Sequence, residues 1–518
     1  MSYFNKNIKK EWIKTPQFSA AAVAFLYGTA VHAFSLNNVL QNHDNIASQP
    51  GGYGTGVELG RWFLEVLGRI LEIVGLNYNL PSVNGMLYIM ILSLTAALLV
   101  CVLKVNSKKN AALIGALFIS FPTVSATMIY RFTTVFYGIG TLLAVMAVWV
   151  LRRYRWGVLL SAVLVMLSMG IYQAYAPLTI ALFVLVLILE GLRGEADAKT
   201  LVIHGLYDCL ALLLGLLMYF AGTKLAVWMK GVSLNEYQGV NTMGLISLSQ
   251  MPQLLIKAFK SVCLLPVQDY CGVANRAVMR IAYLLLGMIT VVMTGKIFVR
   301  KTRKVGTAVI ICLLYVAFLL AVGFVEVMVP NGWIYTLMVY SYCLLACAPV
   351  VISECLSDEK KHRRGDAVCK KAASILVAML VMFYGYYANV NYMAAYYAGE
   401  QVENYLSGVV IRTTMTEGYT VDKQWVFIGE IEDALLGTSW KDEITYTGIG
   451  FTEYLLNQYS RNDWIEHYIG YQIPVADEQT LQMLKNSNAV RNMPCYPDAG
   501  SVKVLGDNVV IKFENIAE

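Results

Sequence analysis

The chain has little charge: 14% of its 518 residues are Asp, Glu, Lys or Arg, against roughly 25% in a soluble domain. Hydrophobic residues make up 57% and the mean hydropathy is +0.56. This excludes a soluble protein and leaves a polytopic α-helical membrane protein. The ten cysteines include no CxxC pair with metal-ligand spacing. Cys101, Cys209, Cys312, Cys343 and Cys347 lie inside apolar segments, whereas Cys263 and Cys271 share one outer loop and can form a disulfide. GxGxxG, Walker, HExxH and Ser-His-Asp constellations are lacking outside the membrane. So is DxD, which nucleotide-sugar enzymes often use to hold a metal. A donor without a nucleotide fits better, and no metal is indicated. The net charge of +6 comes from short basic clusters between apolar segments, where orientation in the membrane explains them, so nucleic acid is not a partner. The two halves show no internal repeat, which weakens an inverted-repeat transporter reading.

What is present is a series of membrane-length apolar segments. They are drawn at 17–37, 84–103, 111–128, 133–151, 157–171, 175–192, 202–227, 277–296, 305–325, 334–354 and 372–391, about eleven spans. The first lacks a small-residue cleavage site and is expected to stay as a helix. Lys6, Lys9, Lys10 and Lys14 precede it, so the N-terminus is expected in the cytoplasm. Basic clusters at Lys104/Lys108/Lys109, Arg152/Arg153/Arg155, Arg193/Lys199, Arg300/Lys301/Arg303/Lys304 and Lys360/Lys361/Arg363/Arg364/Lys370/Lys371 then fall on the same face. An odd count leaves the C-terminus outside. The segment at 157–171 is short, and 111–128 contains Pro122. Residues 1–392 form the membrane module, and 393–518, of ordinary soluble composition, form a small extracytoplasmic α+β domain. That domain has a helical opening, an apolar strand at Trp425–Ile431 and a closing hairpin turning at Asp507-Asn508.

The first outer loop, 38–83, is the stretch richest in chemistry. Asp44 follows the first span by only a few residues, so its carboxylate stays near the bilayer surface. A glycine-rich turn, Gly51-Gly52-Tyr53-Gly54-Thr55-Gly56, leads into a helical pattern with Leu59, Trp62, Phe63, Val66, Leu67, Ile70, Ile73 and Val74 on one side. Glu58, Arg61, Glu65, Arg69 and Glu72 lie on the other, the signature of a helix in the interface plane. A second interfacial helix is expected in SQMPQLLIKAFKSVCLLP, with Lys257 and Lys260 on its polar side.

A positioned carboxylate can take the proton of an attacking sugar hydroxyl; Asp44 is the candidate, its alternative role being to cap a turn. His43 either orients that carboxylate or is solvated. A departing lipid phosphate needs positive charge, and guanidinium meets two phosphate oxygens at once. Arg131, in a tight outer turn against the positive-inside tendency, and Arg61 are candidates, with Lys257 and Lys260 behind them. Arg61 has Glu58 and Glu65 as alternative partners, and the lysines can instead meet anionic headgroups. Tyr172 and Gln173 can hydrogen-bond sugar hydroxyls or merely end a helix. Asp208, Lys224 and Glu326 lie near span ends or alone, few charges for a transport path.

In order along the chain, Asp44, Gly60-Arg61, Pro122 with Tyr130-Arg131, Tyr172-Gln173 and the C-terminal MPCYPDAGSVKVLGDNVVIKF resemble the bacterial integral-membrane glucosyltransferases that decorate O-antigen and related surface polysaccharides, within the GT-C superfamily. The resemblance implies a GT-C-like fold in the bacterial cytoplasmic membrane and a polyprenyl-phosphate-hexose donor. It also implies transfer on the outer face to an envelope glycan, with inversion and the first-loop acid as base. A separate donor-synthesising glycosyltransferase and a flippase are expected partners. That family often shows two adjacent first-loop acids, whereas here Asn45 follows Asp44; Glu58 or Glu65 can stand in. His43, Asn45, Glu58, Tyr172 and Gln173 are the expected sugar- and acceptor-binding residues. Competing readings are a lipid-linked-sugar flippase and a polysaccharide polymerase. The sequence leaves the sugar, acceptor and linkage open.

Overall fold

The computed structural model describes residues 13–47, 51–54, 56–236, 247, 249–300, 304–356, 364–431, 444–448 and 455–516. Lys6, Lys9, Lys10, Thr55, Lys301, Arg303, Lys360, Lys361 and Arg363, used above, lie outside the described residues. The chain divides into two units, Met1–Asn37 with Gly52–Asn389 and Thr445–Gly448, and Asn38–Gly51 with Val390–Ile444 and Ile449–Glu518. This differs from a single cut after residue 392: the front half of the first outer loop, Asp44 included, groups with the C-terminal residues.

Eight helices among the described residues are long and apolar enough to cross a membrane, seven of them wholly within the first unit. Pro16–Val31, Gly157–Ile171 and Tyr340–Cys355 stand at the other three expected positions and are shorter. Thr15 caps the first of these, its Oγ1 accepting from the Phe18 N–H at 3.2 Å. Ala20, Ala24 and Gly28, each one turn apart, are buried, and a Cβ on Gly115 of the Lys108–Ser120 helix would collide with the Ala20 carbonyl. Small residues therefore let these backbones approach closely, as membrane helices do where lipid offers no hydrophobic drive. The expected 17–37 segment breaks at His32, whose ring nitrogen Nε2 lies 3.0 Å from the Ile119 carbonyl. Pro122 breaks the expected 111–128 span. Phe121 is extended (φ −57°, ψ 142°) and separates Lys108–Ser120 from Pro122–Ile129, because proline has no N–H and excludes the helical region for the residue before it.

The two stretches expected as interfacial helices are helical, at Trp62–Ile73 and Met251–Cys263. Cys263 and Cys271 are free thiols, so the pairing considered for them is not made. Asp208 and Glu326 are not alone: Arg152 grips Asp208 with two bonds of 2.6 and 2.8 Å and reaches Glu190 at 3.1 Å. Lys257 meets Glu326 at 2.7 Å. The 51-residue helix Arg364–Thr414 carries the last expected span.

The second unit is built on a three-stranded sheet, β1 (Gln424–Ile428), β2 (Val502–Leu505) and β3 (Asn508–Lys512), ordered β1-β3-β2. The expected hairpin is β2–β3, antiparallel, with Leu505 opposite Asn508. β1 runs parallel to β3, Gln424 facing Asn508 and Ile428 facing Lys512, so the chain must cross over between them. Alternation sends Trp425, Phe427, Val509 and Ile511 into one core with Leu406, Val409 and Trp464. Val426, Ile428 and Val510 enter another with Leu484 and Val490. Lys512 is buried, and its Nζ donates to the carbonyls of Arg491 (2.9 Å) and Met493 (2.6 Å).

Candidate functional site

In the first unit the Gly60-Arg61 and Tyr172-Gln173 pairs, 112 residues apart, interlock. Gly60 has φ +71°, the left-handed turn between Val57–Leu59 and the Trp62–Ile73 helix that favours glycine. A Cβ there would sit 2.6 Å from the Tyr219 hydroxyl and 2.9 Å from Gln173 Nε2. Gln173 Nε2 donates to the Leu59 carbonyl at 2.7 Å and to the Tyr219 hydroxyl at 2.9 Å, pinning the start of the Trp62–Ile73 helix. Arg61 places its guanidinium 4.9 Å from the centre of the Tyr172 ring, and that ring stacks on Tyr137 at 4.5 Å and 12°. The cation therefore sits over an aromatic platform, within cation–π reach of the ring.

Arg131 opens a short helical turn, Arg131–Thr133, between Pro122–Ile129 and Thr134–Arg153. It is 3% exposed. Its carbonyl accepts from Thr134 Oγ1 at 2.8 Å and Asn84 Nδ2 at 3.4 Å, so three helix ends fix the turn. A buried guanidinium is a strong anion holder only because water cannot screen it.

Glu65, offered as a second carboxylate, is buried and structural. It accepts from the Val57 N–H at 3.2 Å and pairs with Lys230, with Arg69 at 4.0 Å. Glu58 is exposed, and its backbone carbonyl accepts from the Asn235 N–H at 2.8 Å. Lys257 is drawn to Glu326, which also accepts from the Tyr270 hydroxyl at 2.7 Å. Lys260 is exposed. Burial pushes the Tyr270 phenol up and raises the Cys271 thiol to about 12, so both stay protonated.

In the second unit, Asp44 lies on the short helix His43–Ala47, and its N–H donates to Asn42 Oδ1 at 2.9 Å. The Asp44 side chain is 37% exposed, with His43 Nε2 3.4 Å from its Oδ1. Water and a sugar hydroxyl can both reach it. Asn45 is fully buried and donates to the Leu40 carbonyl at 3.1 Å, a loop-holding role. The His43 ring meets Tyr459 edge-on at 6.2 Å. Tyr459 sits on Gln458–Trp464 together with Asp463. Burial, then the charges of Asp44 and Asp463, push the Tyr459 phenol above its ordinary range. Sequence reasoning missed Tyr459 and Asp463, and also Tyr219 and Tyr137; the available signal for the last two was hydroxyls recurring inside apolar spans.

The family model for glucosyl transferase GtrII matches residues 33–346, more than half of the chain. The chain belongs to the GtrII glucosyltransferase family. No curated protein and no solved structure matches it. The GtrII match takes in Asp44, Gly60-Arg61, Arg131, Tyr172-Gln173, Lys257 and Lys260. It stops before the Arg364–Thr414 helix and the sheet, so Tyr459 and Asp463 are outside the part of the chain that the GtrII family defines.

Proposed function

We propose that this GtrII-family chain is an inverting GT-C-type transferase. It moves glucose from a polyprenyl-phosphate-linked donor to an envelope glycan on the outer face of the bacterial cytoplasmic membrane. The observation that carries the reading is membership of a glucosyltransferase family across a stretch holding a half-exposed carboxylate, Asp44, beside an imidazole. The eight membrane-length helices among the described residues support a lipid-borne donor.

In this reading Asp44 takes the proton of the acceptor hydroxyl as its oxygen attacks the anomeric carbon. The bond from that carbon to the phosphate oxygen breaks, and the prenyl phosphate leaves with the electron pair. In the first unit, Arg61, set over the Tyr172 ring, and the buried Arg131 are the groups assigned to phosphate oxygens, compensating charge that grows as the bond lengthens. Tyr172 and Gln173 act through Arg61 and Gly60. A donor-synthesising transferase and a flippase supply the lipid-linked sugar.

The test is transfer of labelled glucose from polyprenyl-phosphate-glucose to envelope polysaccharide by purified protein without any ion gradient. Asp44→Asn should lower transfer by about 10²-fold or more with membrane insertion unchanged. Full activity in that variant removes Asp44 as base; wild-type protein that moves the lipid without forming product makes it a flippase.

A further inference from the structure

Tyr459 is 59% exposed, while Ser460, Arg461 and Trp464 of the same helix are buried. The partly exposed ring stands beside a candidate catalytic carboxylate, Asp44. Asp463 follows Tyr459 by four residues, one helical turn, so both lie on one face. That face meets the segment carrying His43 and Asp44, the imidazole and the Tyr459 ring lying edge to face with centroids 6.2 Å apart. The result is an aromatic surface bordered by carboxylates within one unit. At neutral pH a tyrosine phenol keeps its proton, so the Tyr459 hydroxyl is a neutral donor.

This combination suits a pyranose. The C–H face of a sugar ring is weakly positive and apolar and packs on the negative face of an aromatic ring. Its hydroxyls donate to carboxylate oxygens in charge-assisted bonds. The same carboxylates repel an anionic sugar. We propose that Tyr459 and Asp463 form the acceptor-sugar subsite, holding an uncharged pyranose unit with one hydroxyl directed to Asp44. This rests on Asp44 as the base, and adds the class of acceptor residue and the residues that select it.

The experiment uses the full chain in detergent, with binding to neutral hexose oligosaccharides and to matched oligosaccharides carrying a uronic acid read by saturation-transfer NMR. Neutral probes should bind. Tyr459→Ala should weaken them about ten-fold, the loss of roughly 1.4 kcal/mol of ring contact, with Tyr459→Phe and Tyr459→Trp keeping most of the binding. Asp463→Asn should weaken neutral probes and admit the uronic acid. Tyr459→Ala binding like wild type, a preference for acidic probes, or no binding of any neutral probe by wild type overturns the proposal. Asp44→Asn separates the two readings. Retained transfer in that variant defeats the base assignment, whereas the subsite stands or falls on Tyr459→Ala binding.

Discussion

The Arg61 guanidinium lies over the Tyr172 ring, 4.9 Å from its centre, although 111 residues separate them. A lysine at 61 keeps the charge but loses the plane and the two-pronged hold on a phosphate. Arg61→Lys should therefore raise the KM for the lipid-linked donor about ten-fold, matching 1–2 kcal/mol for a desolvated cation on a ring, with the acceptor KM unmoved. Donor kinetics equal to wild type remove Arg61 from phosphate binding.

Gly60 holds φ +71° under the Tyr219 hydroxyl and Gln173. Gly60→Ala meets both a left-handed backbone, costing about 1–2 kcal/mol, and that contact. The thermal midpoint should fall and activity with it. Gln173→Ala, which opens space but frees the Leu59 carbonyl, should partly rescue the double variant. If Gly60→Ala melts like wild type, the interlock is not rigid.

Lys257 and Glu326 give an asymmetric pair. Glu326 is 4% exposed, and Lys257 is half in water. Lys257→Met strands a buried carboxylate and should cost about 2–4 kcal/mol; Glu326→Gln leaves a solvated ammonium and should cost about 1 kcal/mol. Thermal unfolding of both single variants and the double is the measurement. A more damaging Glu326→Gln contradicts the pairing.

Patterns with a period were legible in the sequence. The charged and apolar sides of the first loop marked a helix now seen as Trp62–Ile73, and SVKVLGDNVVIKF marked the β2–β3 hairpin. Chain-distant relations were not. Pairing of β1 alongside β3 follows from a crossover that no local pattern encodes. Asn38–Gly51 groups with Val390–Ile444 and Ile449–Glu518, and His43 meets Tyr459 within that unit, a contact between stretches with no shared periodicity. Arg61 and Tyr172 were each visible as polar residues near helix ends, but their stacking needed coordinates. Tyr459 carried no signal, since an exposed tyrosine in a soluble stretch is commonplace.

Tyr459, Tyr471 and Tyr496 contribute to the second unit's response to alkali, alongside Tyr405, whose phenol burial also raises. Burial is the main cause raising the phenols of Tyr459 and Tyr496, and it raises Tyr471 to about 12, where the Tyr419 hydroxyl at 2.7 Å adds to it. A tyrosine in the unfolded chain loses its proton near pH 10. Between there and the folded value, the folded state binds more protons than the unfolded one, so stability falls as pH rises. Below pH about 10 both states are protonated and these groups contribute no slope. The thermal midpoint of the second unit, followed by Trp425 and Trp464 fluorescence, should hold to about pH 10 and then decline toward pH 12, the folded value for Tyr471. The Tyr459→Phe/Tyr471→Phe/Tyr496→Phe variant should decline less over that window, because it has no phenols to deprotonate at these positions. Equal slopes for variant and wild type would mean that other groups, not these phenols, control the alkaline limb.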